Sequence, residues 1–100
     1  MSALPPPVLR RRVLVSGRVQ GVGFRQSCME VARRNGVRGW ARNRRDGRVE
    51  ALLEGSPPGV NAVVDWCGHG PPAASVTDVE VLEEQPGAES LVGFRVAATL

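Results

Sequence analysis

The order in which strand-type and helix-type hydrophobic patterns follow one another is the feature that most narrows the folds open to this chain. Val13, Leu14, Val15 and Val19 make a strand run that feeds a loop bearing Gly17, Gly21 and Gly23. Phe24, Cys28, Val31 and Ala32 then fall on one face of a helix over residues 24–34, and Asn35-Gly36 supplies its stop. Two runs, 37–43 and 48–54, flank Arg44-Arg45-Asp46-Gly47. Asp-Gly between strands signals a hairpin, because Gly accepts the positive φ that such turns need. Within the second run Val49, Ala51 and Leu53 alternate with Arg48, Glu50, Leu52 and Glu54, the pattern of a half-buried strand. Ser56 is a candidate N-cap ahead of Pro57-Pro58, and Val60, Val63, Val64 and Cys67 repeat at helical spacing along a second helix closed by Gly68. The tail predicts a strand over 75–82, a turn at Pro86-Gly87 and a last strand over 94–98.

This β-α-β-β-α-β order, with a hairpin at its centre, is the split β-α-β arrangement: an α+β, ferredoxin-like sandwich in which two helices cover one face of an antiparallel sheet. One hundred residues can bury one core, so residues 8–100 are expected to form a single domain. Residues 1–7 are expected to be a mobile arm, since Pro5-Pro6-Pro7 favour an extended, solvated chain. No apolar run is long enough to cross a bilayer and the N-terminus lacks a signal-peptide pattern, so the expected location is the cytoplasm, with no membrane partner. Cys28 and Cys67 are too few for a disulfide scaffold and read as buried thiols.

Charge is segregated along the chain. Residues 1–48 carry a net +10 and residues 49–100 a net −7, within an overall +3. A positive field of that size suits an anionic ligand, either nucleic acid or a small phosphate or carboxylate compound. Every cation is arginine, which reflects coding composition more than selection for forked anion binding.

The loop Gly17-Arg18-Val19-Gln20-Gly21-Val22-Gly23, followed by Phe24-Arg25, carries the strongest local chemistry. Glycines between a strand and a helix let successive backbone N–H groups turn inward, and the helix N-terminus behind them adds unpaired donors and a positive dipole end. An anion belongs there. Arg25, in the first helical turn, can hold two oxygens of a tetrahedral anion in one planar fork. The loop lacks the Lys of G-x-x-x-x-G-K-[ST] and is not G-x-G-x-x-G, so a nucleotide site is not supported.

The stretch Ser16-Gly17-Arg18-Val19-Gln20-Gly21-Val22-Gly23-Phe24-Arg25 resembles the signature of the acylphosphatase family. Gly39-Trp40-Ala41-Arg42-Asn43-Arg44-Arg45-Asp46-Gly47-Arg48-Val49-Glu50 resembles that family's second signature. The likeness continues through Trp66, Gly70-Pro71-Pro72-Ala73, Val76 and Gly93-Phe94, covering nearly everything from Val8 to Ala98. It implies the same β-α-β-β-α-β sandwich and hydrolysis of acyl phosphates. It also implies a backbone phosphate cradle over Arg18, Val19, Gln20, Gly21, Val22 and Gly23, an essential arginine at Arg25 and a water-positioning asparagine at Asn43. Gln26, Ala41 and Asn35 depart from the residues the family often has, which concerns packing and removes no chemical role.

An acyl phosphate leaves as a carboxylate, so its P–O bond breaks without a strong general acid. What remains is to bind the phosphoryl group, neutralise its charge and place a water in line. The expectation is a hydrolase with no metal and no cofactor, acting as a monomer on a small acyl phosphate, with inorganic phosphate as product and competitive inhibitor. Two alternatives share the fold: a non-catalytic module binding anions or RNA, and a carbamoyl-phosphate-specific relative. RNA is not the expected partner, because the chain lacks the aromatic strand on which bases would stack. Cys28, Cys67 and His69 form no metal-ligand pattern, and Ser27 with the single His69 makes no triad.

Overall fold

The computed structural model describes residues 7–87 and 91–100; the expected Pro-rich arm lies outside the described residues except for Pro7. The elements run β1 (Leu9–Arg18), α1 (Phe24–Arg34), β2 (Arg38–Asn43), β3 (Val49–Gly55), α2 (Pro57–Cys67), β4 (Ser75–Glu84) and β5 (Phe94–Val96). They form one five-stranded sheet in the order β4-β1-β3-β2-β5. The pairs β4–β1, β1–β3 and β3–β2 are antiparallel, as the split β-α-β reading requires. The fifth strand adds a parallel pair, Gly39 to Ala41 of β2 beside Phe94 to Val96 of β5. None of the helices among the described residues is long and apolar enough to cross a membrane.

Strand alternation sends Val13 and Val15 of β1, Ala41 of β2 and Val49, Ala51 and Leu53 of β3 to one face, where all six are inaccessible. Phe24, Cys28 and Ala32 of α1 and Val60, Val63 and Cys67 of α2 complete this core. Each helix is an amphipathic stripe laid on the sheet, so burial rather than propensity holds it. Ser56 caps α2 as expected, its Oγ accepting from Gly59 N–H at 3.3 Å.

The opposite face departs from the sequence expectation. β3 was expected to be half-buried, yet all seven of its residues are buried. The reason is a mesh of charges across four strands. Arg10 Nε donates to Glu54 Oε2 at 2.7 Å, and Arg38 Nη2 donates to Glu54 Oε1 at 2.9 Å. Arg42 Nε and Arg44 Nη1 donate to Glu50 Oε1 at 2.9 and 3.0 Å, while Arg12 bonds both Glu50 and Glu84. Trp40 lies within the mesh, with the guanidinium carbons of Arg42 and Arg12 at 4.5 and 5.6 Å from its ring centre. Leu52, in register between Arg12 and Trp40, is inaccessible as well. Long arginine stems seal this face while their heads are neutralised by carboxylates.

β1 is also longer than its apolar run suggested, starting at Leu9, because Arg10 and Arg12 are ladder residues of the charged face rather than a solvated tail. At its other end the register with β4 shifts between Ser16 and Gly17. Gly17 has φ +118°, and a Cβ there would lie 2.2 Å from the Ser75 carbonyl oxygen, so this bulge admits only glycine. The bulge turns the chain out of the sheet into the loop that leads to α1.

Candidate active site

The loop after β1 meets α1 without a side-chain cap. Gly23 takes the N-cap position at φ +80°, and Gly21 is also left-handed at φ +74°. The first helical bond is Ser27 N–H to Gly23 O at 3.0 Å. The N–H groups of Phe24, Arg25 and Gln26 therefore have no acceptor within the helix, and the first turn carries no acidic side chain to take their place. The usual Ser, Asp or Asn cap is absent here, which leaves open donors of the kind an anion can accept from.

A cleft of about 140 Å³ opens at this point, lined by Val19, Gly21, Gly23, Phe24, Arg25, Gln26 and Val96. Among the described residues no carboxylate lines it. Arg25 is half-buried and has no hydrogen-bond or ion-pair partner among the described residues, so its guanidinium is available to a ligand. Phe24 anchors the turn in the core beside Trp66, ring centres 5.0 Å apart.

The expected cradle residues do not all play one part. Val19, Gly21 and Gly23 line the cleft, whereas Val22 packs against the core and Arg18 stands exposed at the end of β1. Gln20 turns its side chain away from the cleft. Its Nε2 donates to the carbonyls of Arg44 at 2.7 Å and Arg48 at 2.9 Å, which are the two ends of the β2–β3 turn. The turn is closed by Arg44 N–H to Arg48 O at 2.8 Å. Asp46 braces it, accepting from the Arg48 side chain and backbone, and those bonds together with the charge of Arg44 hold its carboxyl down at about 2.

Asn43 is the last residue of β2, immediately before that turn. Its carbonyl accepts from Leu100 N–H at 3.1 Å. Its side-chain Oδ1 is buried and has no hydrogen-bond donor among the described residues. Asn43 does not line the cleft itself; two links bring its strand end to it. Val96 of β5, a cleft residue, is in register with Ala41, and Gln20 of the loop bonds the residue after Asn43.

Residues 11–96 match the model of the family described as Acylphosphatase. The chain belongs to the acylphosphatase family. Among curated members, "Acylphosphatase" of Anaeromyxobacter sp. (strain Fw109-5) is 61% identical over 72 residues, which span 72% of this chain and 77% of that protein. "Acylphosphatase" of Thermococcus kodakarensis is 52% identical over 88 residues, 88% of this chain and 94% of its own. Among solved structures, the crystal structure of acylphosphatase from Bacillus subtilis superposes with a TM-score of 0.84 at 39% identity, covering 89% of this chain and 98% of that one.

Within this acylphosphatase-family fold, the Gln20 side chain is the contact that the sequence reading missed. The signal available was an amide in a glycine-bearing loop that follows β1, the strand beside β3 and its tight hairpin. The other polar candidates stand apart from the site. His69 is exposed, donating its backbone N–H to Trp66 O. Cys28 and Cys67 are both inaccessible, and hydrogen bonding to Cys67 together with burial pushes the Cys28 thiol well up. Such a thiol is inert as a nucleophile.

Proposed function

We propose that this acylphosphatase-family chain hydrolyses small acyl phosphates, with the phosphoryl group seated on the N–H groups at the loop and the α1 N-terminus and clamped by Arg25. Backbone donors and one guanidinium supply positive charge where the equatorial phosphoryl oxygens gather negative charge. The observation that carries the reading is Asn43 Oδ1, a buried acceptor with no donor among the described residues. An orphaned carbonyl of this kind costs about 1–3 kcal/mol and is relieved when a water O–H donates to it. A water held that way turns an oxygen lone pair toward phosphorus.

The step then balances without acid or metal. Water oxygen forms a bond to phosphorus, the P–O bond to the acyl group breaks, and its electron pair leaves on the carboxylate. The proton released by the water passes to a phosphoryl oxygen. Nothing in the cleft must ionise, consistent with a lining that holds Arg25 and Gln26 but no carboxylate.

The test is hydrolysis of benzoyl phosphate with a chelator present, beside the Arg25→Ala variant. Wild-type turnover should persist with chelator and be inhibited competitively by inorganic phosphate. Arg25→Ala should lose at least ~10² to 10³ in kcat/KM together with phosphate inhibition. Equal, slow decay of the substrate in both samples would overturn the reading.

A further inference from the structure

Glu50 holds three arginines, and two of them flank Asn43. Its Oε1 accepts from Arg42 Nε at 2.9 Å and from Arg44 Nη1 at 3.0 Å, while Oε2 takes Arg12. Its side chain is 3% exposed. Burial alone would raise its pKa, yet bonds from Arg42, Arg12 and Arg44 outweigh it and hold the carboxyl below its ordinary range, so Glu50 is a carboxylate at working pH.

Successive residues along a strand point to opposite faces. One carboxylate oxygen that grips residues 42 and 44 on the outer face therefore fixes the side chain of residue 43 on the helix-bearing face. The backbone register supports the same grip, with Arg42 opposite Glu50 and Asn43 opposite Val49. Arg44 is also the residue whose carbonyl receives Gln20 from the cradle loop. A single buried anion thus sits behind both halves of the site without touching the cleft.

We propose that Glu50 is a positioning residue for hydrolysis, setting the direction of Asn43 Oδ1 by clamping Arg42 and Arg44 on either side of it. This rests on the role assigned to Asn43 above. β3 carries its own control: Glu54 is buried on the same face, 8% exposed in its side chain, and holds Arg10 and Arg38 at the end of the strand remote from the turn. Removing either carboxylate strips its arginines of a shared, buried partner. Only Glu50 neighbours the site.

The experiment compares Glu50→Gln, Glu54→Gln, Arg44→Gln and Asn43→Ala with the wild type, assaying benzoyl phosphate hydrolysis well below each thermal midpoint and measuring inhibition by inorganic phosphate. Glu50→Gln should lower kcat by about 10- to 100-fold, the usual cost of misplacing a reacting group by an ångström or so. Its phosphate inhibition constant should move far less, because Arg25 and the α1 N-terminus are held from β1 and the core. Glu54→Gln should melt earlier and keep its kcat. Arg44→Gln, which leaves Glu50 with two arginines, should fold and show a smaller fall in kcat, so the assignment stands or falls on it if Glu50→Gln does not fold. Wild-type kcat in the folded Glu50 and Arg44 variants, with Asn43→Ala inactive, would overturn the positioning role alone. Equal loss in the Glu50 and Glu54 variants would do the same, pointing to general damage to the sheet. Wild-type turnover by Asn43→Ala would overturn the role of Asn43 and the clamp with it.

Discussion

At the scale of single residues, the site is marked by what is left unsatisfied. Among the described residues Asn43 Oδ1 has no donor, the first N–H groups of α1 have no side-chain cap, and Arg25 has no carboxylate. Each is a small cost to the folded chain that a bound phosphoryl group or water would repay. Asn43→Ala removes the orphaned acceptor while leaving the backbone bond from Leu100 N–H to Asn43 O intact. Its thermal midpoint should therefore stay close to wild type, while kcat/KM falls by at least ~10². Phosphate should still inhibit, since its ligands are elsewhere. Melting curves and initial rates on one preparation check this, and a variant that is both destabilised and active would contradict it. Arg25 could be proposed from the glycine loop and its own place in the first helical turn, whereas Asn43 was proposed only through the resemblance of residues 39–50 to the family's second signature. The side chain of Gln20 was not legible, because its partners are backbone carbonyls of a turn 24 and 28 residues away, and no residue type announces those.

At the scale of elements, both helices could be read almost to the residue, because each has an apolar stripe and explicit end signals: Asn35-Gly36 after α1, and Ser56-Pro57 ahead of α2. The alternation of β3 predicts a half-buried strand, with Glu50, Leu52 and Glu54 facing away from the core. What buries them is Arg10, Arg12, Arg38 and Arg42 arriving from neighbouring strands in the right register, and register is set by tertiary pairing that a single strand does not display. A similar contact decides a helix position. Gly59 sits in the first turn of α2, where an alanine would ordinarily gain about 1 kcal/mol of helix propensity. A Cβ there would lie 2.5 Å from the Asn35 carbonyl oxygen at the end of α1. That oxygen belongs to backbone and cannot swing aside, so Gly59→Ala should destabilise the fold by about 1–3 kcal/mol, read as a lower denaturant midpoint. An unchanged or higher midpoint would mean that the two helices slide apart at little cost.

At the scale of the whole molecule, the charge segregation seen along the sequence is undone by folding. The basic first half supplies β1 and β2, the acidic second half supplies β3 and β4, and the sheet interleaves them. Most of the arginine run that suggested a nucleic-acid surface is spent on Glu50, Glu54, Glu83 and Glu84. Arg18, Arg25 and Arg45, around the loop and the turn it touches, keep no carboxylate among the described residues, and neither do Arg33, Arg34 and Arg95, so the positive charge that survives includes a group near the cleft without being confined to it. The same mesh sets how the fold responds to acid. Glu50 and Glu54 have ordinary values near 4.5, and in the folded chain their arginines lower both despite burial; Asp46 is held at about 2. A carboxyl with a lower pKa in the folded than in the unfolded chain contributes stability that is fully present above the unfolded value and lost as pH falls through the folded one. The thermal midpoint should therefore be nearly flat from pH 7 to 5 and drop steeply below about pH 4, as the unfolded chain takes up protons that the folded one refuses. Glu54→Gln starts from a lower midpoint but has one fewer such group, so its curve should fall less between pH 5 and 3 and converge on the wild type in acid. Melting both proteins across that range decides the matter. Parallel curves would show that Glu54 titrates alike in both states, and that its two arginines serve packing rather than charge.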